Sequence, residues 1–141
     1  MTEIERLATQ AIAKMRLEDN FSKWLKVKVL EAGPGHCVCR MKVRKEMLNG
    51  FGILHGGISY SLADSCFAFA SNSHGRLSLA LKVSMSYAKA VQLGDILTAE
   101  ATEIVKGQRT GIYQVLVTNE EKETVAVFDG TVYRTDRMVL D

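Results

Sequence analysis

One segment of this chain carries almost no charge, and it constrains the fold more than any other feature. Among the seventeen residues from Gly56 to Asn72, Asp64 is the only charged residue, and most of the others are small or apolar. A surface helix keeps a polar face toward water, whereas a helix that is apolar on most sides must be buried. We therefore predict a central helix over about residues 56–73, surrounded by the rest of the chain.

The segment before this helix predicts one amphipathic helix and two strands. Residues 2–17 repeat apolar side chains at helical spacing and begin with a capping box. Alternation of apolar and polar residues predicts a strand over Leu25–Val29. A turn at Gly33–Gly35 follows, and a second strand runs from Cys37 to Val43.

The second half of the chain predicts four antiparallel strands. Apolar residues alternate over Leu77–Tyr87, and strand patterns follow at residues 96–105, 110–118 and 124–133, with short connections typical of hairpins. A curved antiparallel sheet wrapped around the central helix, with the first helix on its surface, satisfies this order and makes the fold class α+β. A chain of 141 residues has room for one core, so we expect a single domain over residues 1–141.

Composition and charge exclude several classes of function. The 18 basic and 16 acidic residues leave a net charge of +2, which gives no electrostatic reason to expect nucleic-acid binding. No apolar stretch is long enough to span a membrane, and the N-terminus lacks the apolar region of a secretory signal. Three cysteines without a disulfide framework indicate reduced thiols and a cytoplasmic location. Cys37 and Cys39 lack two further ligands nearby, so we interpret them as core residues and predict no metal site.

Asp64 is a candidate functional residue, because burying an ionised carboxylate is costly unless it is paired. An ordinary hydrogen bond or a side chain that reaches solvent would also account for it. The segment Asn49–Gly57 just upstream contains four glycines, which allow close approach of the backbone to a ligand. The first turn of a helix offers free N–H groups and a partial positive charge. Such a terminus can hold the oxygen of a polarised carbonyl, which acyl transfer requires.

The residues from Asn49 to Ser73 contain Asn-Gly, then His-Gly-Gly, then Ser-Leu-Ala-Asp-Ser, and further motifs lie in Lys106–Tyr113 and Thr124–Phe128. Together these motifs resemble the hotdog thioesterases of phenylacetic acid degradation. The resemblance covers about residues 20–134. His-Gly-Gly with a downstream aspartate is fairly specific, whereas the glycine loop alone would be weak evidence.

The resemblance implies a hotdog fold and hydrolysis of acyl-CoA thioesters without metal or organic cofactor. Protomers of this family pair through strand edges, two dimers commonly form a homotetramer, and the active sites lie at the dimer interface. By position, Asp64 would be the general base on water or the nucleophile toward the thioester. Gly56 N–H and Asn49 from the other protomer would bind the carbonyl or the attacking water. His55 is interpreted as holding the loop, although it could also contact the thioester.

The remaining site predictions concern the substrate, for which the resemblance implies phenylacetyl-CoA, hydroxyphenylacetyl-CoA or a similar acyl-CoA. Gly57 belongs to the His-Gly-Gly motif, and Tyr60 and Phe67 could line the acyl pocket. Coenzyme A carries a pyrophosphate and a 3′-phosphate, so its site should offer basic groups. The candidates lie at predicted turns and are Lys89, Lys106 and Arg109, with Gly107 allowing close backbone approach.

Three alternative functions share parts of this pattern. Hotdog dehydratases and hydratases use a proline-rich histidine loop, which is absent because Pro34 is the only proline. A medium- or long-chain acyl-CoA thioesterase would share Asn49, Gly56 and Asp64, so the sequence does not select the acyl group. A non-catalytic module that binds acyl-CoA has no need for a carboxylate beside the thioester, and Asp64 therefore argues against it.

Overall fold

The computed structural model describes all residues from Met1 to Asp141. The elements in chain order are α1 (Glu3–Glu18), α2 (Asn20–Leu25), β1 (Lys28–Gly33), β2 (His36–Lys42), α3 (Gly56–Asn72), β3 (Arg76–Tyr87), β4 (Ile96–Lys106), β5 (Thr110–Thr118) and β6 (Thr124–Met138). The six strands form one antiparallel sheet in the order β1-β2-β4-β5-β6-β3. Helix α3 packs on its inner face, which confirms the predicted sheet around a central helix. None of the helices has the length and apolarity needed to cross a lipid bilayer.

Aromatic side chains join α3 to the middle of the sheet. Phe67 is 1% exposed, and its ring centroid lies 5.8 Å from that of Tyr113 and 5.2 Å from that of Phe128. The burial of α3 thus follows from its sequence, which offers no charged face toward water. Phe67 is a core residue in this protomer, and its side chain is not available to line an acyl pocket as predicted.

The inner face of β2 is filled by sulfur-containing side chains. Cys37 and Cys39 are fully buried, which confirms their interpretation as core residues. The structure adds Cys66 of α3, whose sulfur lies within 4.8 Å of the other two. Cys66 is thus a third thiol beside Cys37 and Cys39, and the sequence pattern gave no sign of this proximity. Its thiol donates to the backbone oxygens of Cys37 and Ala99, so it also links the helix to two strands.

The predicted strand over Leu25–Val29 is wrong at its start, because α2 occupies the residues up to Leu25 and β1 begins only at Lys28. Asp19 starts this helix, since its Oδ1 accepts the backbone N–H of Ser22 at 3.0 Å. Lys26 ends it in the left-handed conformation, with a φ of 59°. Local capping therefore outweighs the strand-like alternation at this point.

Strand β3 forms a free edge of the sheet, because it pairs only with β6. Its other side presents unpaired backbone groups. Leu79, Leu81 and Tyr87 on this strand are 57%, 61% and 56% exposed. The long apolar alternation correctly predicted a strand, but the protomer alone leaves much of its apolar surface uncovered. Such a surface is suited to contact with another protein chain.

Gly130→Ala is expected to destabilise the fold by about 1–3 kcal/mol, because the core leaves no space for the added methyl group. A Cβ at Gly130 would lie 2.7 Å from the Phe67 ring and 2.9 Å from the Phe128 ring. Chemical denaturation measures the change in the free energy of unfolding.

Gly33→Ala is the matched control, since a Cβ there meets nothing within 4 Å. Its effect should stay within about 0.5 kcal/mol. Equal stability of the two variants would contradict the tight contact between α3 and β6.

Candidate active site

The loop before α3 is held by hydrogen bonds of Asn49. Its Oδ1 accepts the backbone N–H of Phe51 at 2.9 Å and that of Ile53 at 3.4 Å. Its own N–H donates to the Ile53 oxygen at 2.8 Å. The side-chain amide nitrogen Nδ2 makes no hydrogen bond within the chain. Asn49 therefore shapes the loop with its oxygen and keeps two N–H donors for a ligand.

His55 caps the N-terminus of α3. Its Nδ1 accepts the N–H of Gly57 at 2.8 Å, and its backbone oxygen accepts the N–H of Ile58 at 3.0 Å. Because a backbone N–H donates to Nδ1, the neutral ring carries its proton on Nε2. This contact is the loop-holding interaction predicted for His55. It also occupies the amide of Gly57, which is therefore not a free donor.

The amide of Gly56 stands out in this turn, because it makes no hydrogen bond within the chain whereas the next two amides do. The Gly56 oxygen accepts the Tyr87 hydroxyl at 2.8 Å and the Ser59 hydroxyl at 3.2 Å. A side chain at Gly56 would place its Cβ 3.1 Å from the Tyr87 ring. Any side chain at Gly56 would therefore press against the Tyr87 ring. The Gly56 N–H remains a free donor at the positive end of the α3 dipole.

A cavity of about 350 Å³ lies beside this first turn of α3. Its lining comes from the upstream loop, the end of β3, the segment after β3 and the start of β6, and includes Leu54, Gly56, Tyr87, Lys89, Val91 and Val125. The lining is mainly apolar, and its polar side chains are those of Ser59, Tyr87 and Lys89. Such a cavity can hold an apolar acyl group against a polar reacting centre.

Tyr87 is the site residue that the sequence predictions missed. It ends the longest apolar alternation of the chain, and this pattern predicts its strand. The pattern contains no signal for the contact with Gly56, because that contact depends on how β3 and α3 meet in space.

Asp64 is half-buried and makes no hydrogen bond or ion pair within the chain. Burial raises the pKa of its carboxyl above the ordinary value of 3.8. Along the helix axis it lies about 12 Å beyond Gly56, at about 1.5 Å per residue. One thioester carbonyl therefore cannot contact both Asp64 and the free amide of Gly56 within a single protomer.

Tyr60 lies one turn before Asp64 on the same side of α3. Its ring packs against Phe128, with 5.7 Å between the centroids. Burial raises the pKa of the Tyr60 hydroxyl, and the negative charge of Asp64 raises it further. Tyr60 does not line the cavity of this protomer, so its predicted contact with substrate stays a prediction.

The predicted basic residues for coenzyme A divide into two groups. Lys89 lines the cavity and forms an ion pair with Glu123. Lys106 and Arg109 lie at the hairpin between β4 and β5, where Arg109 pairs with Asp136 at 2.8 Å. At this hairpin the Gly107 backbone is bonded on both sides, to the Thr110 oxygen at 2.8 Å and to the Arg134 guanidinium at 2.7 Å. The hairpin residues do not line the cavity in one protomer, and their roles stay predictions.

The chain belongs to the thioesterase superfamily, whose profile matches residues 51–126. Acyl-coenzyme A thioesterase PaaI of Escherichia coli is 35% identical over 127 residues, which are 90% of this chain and 91% of that protein. The structure of E. coli PaaI, from the phenylacetic acid degradation operon, matches with a TM-score of 0.94 and 33% identity over 96% of this chain and 99% of that one. These similarities confirm the predicted family and hotdog fold.

A second solved structure shows a relative with a ligand. A Streptococcus mutans protein bound to acetyl-CoA matches with a TM-score of 0.77 and 29% identity, over 79% of this chain and 90% of that one.

Asp64→Asn is expected to increase the free energy of unfolding at neutral pH. Because the pKa of Asp64 is raised in the folded state, the folded chain binds this proton more tightly than the unfolded chain. Wild-type stability therefore falls as the pH rises from about 3.8 through the raised pKa, and the loss persists at higher pH. The gain from Asp64→Asn should be present at about pH 7 and disappear below about pH 3.8, as measured by denaturation at a fixed protein concentration.

Asp129→Asn makes the same side-chain change at an exposed aspartate of β6, and as the control it should change the free energy of unfolding by no more than about 0.5 kcal/mol. A gain from Asp64→Asn that does not depend on pH would argue against a raised pKa at Asp64.

Proposed function

We propose that this protein hydrolyses acyl-CoA thioesters to the free acid and coenzyme A, with Asp64 as the catalytic carboxylate. The observation that carries the proposal is a half-buried aspartate without hydrogen bond or ion pair, on a helix with no other charged residue. A carboxylate that stabilises a fold is normally paired when it is withdrawn from water. An unpaired carboxylate with a raised pKa is typical of functional sites. Membership of the thioesterase superfamily and the similarity to acyl-coenzyme A thioesterase PaaI support the reaction class.

The chemistry assigns a role to each free group of the site. The thioester oxygen accepts hydrogen bonds from the Gly56 N–H and the Asn49 amide, which stabilise the negative charge that develops on it. Asp64 either removes a proton from the attacking water or attacks the carbonyl carbon itself. The C–S bond then breaks, and the coenzyme A thiolate takes up a proton as it leaves. If Asp64 is the nucleophile, the acyl group stays on it as an anhydride, which a water molecule hydrolyses to the free acid. We expect these steps to need no metal and no organic cofactor, because a carboxylate and oriented amides supply the base and the charge stabilisation.

The active site is proposed to form between two protomers, with Asp64 from one and Asn49 and Gly56 from the other. Two observations support this arrangement. The distance of about 12 Å along α3 separates Asp64 from Gly56 in one protomer. The uncovered β3 edge, with Leu79 and Leu81 exposed, offers a surface for pairing two sheets. We propose a homodimer of this kind, and two such dimers in a homotetramer.

The substrate is proposed to be phenylacetyl-CoA, hydroxyphenylacetyl-CoA or a similar acyl-CoA, within phenylacetate catabolism in the cytoplasm. The similarity to PaaI from the phenylacetic acid degradation operon supports this class, as does the apolar cavity of about 350 Å³ beside Gly56. Lys89 at the cavity is proposed to contact the phosphates of coenzyme A. Medium- or long-chain acyl-CoA is the alternative, and it would require the cavity to extend into the partner.

Asp64→Ala is expected to lower kcat by about 10²–10⁴-fold, the usual contribution of a general base. Thiol release should be measured on phenylacetyl-, hydroxyphenylacetyl-, benzoyl-, short-chain and long-chain acyl-CoA. The aryl-acetyl esters are expected to have the highest kcat/KM. Asp129→Ala is the control with the same side-chain change at an exposed site, and it should keep wild-type turnover.

Two results would overturn these assignments. Near-normal turnover of Asp64→Asn would exclude Asp64 as the catalytic group. Binding of acyl-CoA by the wild type without cleavage of any ester would favour the non-catalytic binding module.

Mixing inactive protomers is expected to restore activity if the site is shared. Asp64→Ala and Asn49→Ala chains should each be inactive as homodimers. In a mixed dimer, the intact Asp64 of one chain meets the intact Asn49 of the other, so one of the two sites is complete. Refolding an equal mixture should therefore recover about a quarter of wild-type activity.

Refolding each variant alone is the control and should recover nothing. If both variants are inactive and the mixture also remains inactive despite exchange of subunits, the residues act within one protomer.

A further inference from the structure

Strands β1 and β2 carry a strongly basic groove at one end of the sheet. The groove has a volume of about 450 Å³ and contains five cationic side chains among its seven lining residues. The five are Lys26, Lys28, Arg40, Lys42 and Arg44. The other two lining residues are Met41 and Ile96, so no carboxylate lines the groove.

Strand pairing brings these cations together on the face of the sheet that points away from α3. Arg40 and Lys42 alternate with the buried residues of β2, so their side chains point outward. Lys28 of β1 stands directly opposite Arg40, and directly opposed residues share one face. Like charges in such positions destabilise a sheet. An anion in the groove would replace this repulsion by attraction.

The cations of the groove are mostly without partners. Only Arg44 forms an ion pair, with Glu46 at 3.2 Å, whereas the other four form none. Taking these five from the 18 basic residues leaves 13 against 16 acidic ones, so the rest of the chain is net negative. Five cations and no carboxylate line the groove, so positive charge is concentrated there, and the small net charge of the whole chain conceals it.

Arg44 is already fixed in position at the edge of the groove. Its Nη1 donates to the Leu25 oxygen at 3.2 Å and its Nη2 to the Trp24 oxygen at 3.1 Å. The guanidinium carbon also lies 5.5 Å from the centre of the Trp24 ring. A guanidinium held in this way loses little conformational freedom when an anion binds.

We propose that this groove binds a small anion with two or more phosphate groups. Several cations around one concave site match a compact, multiply charged ligand. A nucleic acid strand would extend past the groove onto the net negative remainder of the chain, which disfavours it. Coenzyme A and inorganic pyrophosphate both offer the required chemistry. This proposal does not depend on thioester hydrolysis.

The single tryptophan of the chain, Trp24, provides the test because Arg44 lies over its ring. Fluorescence titrations should use pyrophosphate, coenzyme A, adenosine 3′,5′-bisphosphate, a DNA duplex and anionic phospholipid vesicles. We expect saturable binding of pyrophosphate, and tighter binding of coenzyme A or the bisphosphate would identify a nucleotide as the source of the phosphates. Arg40→Glu with Lys42→Glu should weaken binding by at least about tenfold.

Arg6→Glu with Arg137→Glu makes the same change of net charge at exposed residues outside the groove and should leave binding unchanged. Arg40→Gln avoids new negative charge: it should raise Tm without ligand, through relief of repulsion, and reduce the Tm increase caused by pyrophosphate. The proposal is overturned if the groove and control variants bind alike, if binding is not saturable, or if DNA or vesicles bind more tightly than every small phosphate.

Discussion

The contact between α3 and the inner face of the sheet determines the positions of Gly56 and Asp64, the two groups of the candidate site on this helix. Phe67 packs against Tyr113 and Phe128, and the sheet approaches so closely at Gly130 that a methyl group has no room there. This contact fixes the axis and the rotation of the helix. With the axis fixed, the first turn of α3 meets the end of β3, where the Tyr87 hydroxyl reaches the Gly56 oxygen. Asp64 then lies further along the helix, in a place that offers no partner for its charge.

In the first turn of α3 and the loop before it, most backbone groups are hydrogen-bonded, whereas the Gly56 amide is not. The His55 ring accepts the Gly57 N–H, and the Asn49 side-chain oxygen accepts an N–H of the preceding loop. The Tyr87 hydroxyl donates to the Gly56 oxygen. These bonds immobilise the backbone around a single amide that has no acceptor in the chain. Rigid donors stabilise developing charge well, because they need not reorganise when the charge appears. The structural bonds of the loop therefore hold the Gly56 amide in place as a donor for the reaction, beside the free side-chain amide of Asn49.

Periodicity was sufficient to predict the strands and the buried helix, and the absence of other charges on α3 was sufficient to single out Asp64. Features that depend on three-dimensional proximity were not predictable. The start of β1 was misplaced because the Asp19 cap produces a short helix there. Phe67 was expected at the pocket, but helix rotation turns it into the core. Tyr87 was missed because its contact with Gly56 depends on how β3 and α3 meet in space. The basic groove was missed because strand pairing places Lys28 opposite Arg40.

The uncovered edge of β3 also affects how a single protomer behaves in a cell before it assembles. A newly folded protomer exposes Leu79 and Leu81 along an unpaired strand, and strands of this kind promote aggregation. If the active site forms between two copies, the same encounter that hides this edge also completes the catalytic groups. A protomer without a partner would then be inactive and at the same time exposed to chaperones and proteases. Quality control and the onset of activity would thus depend on one event of assembly.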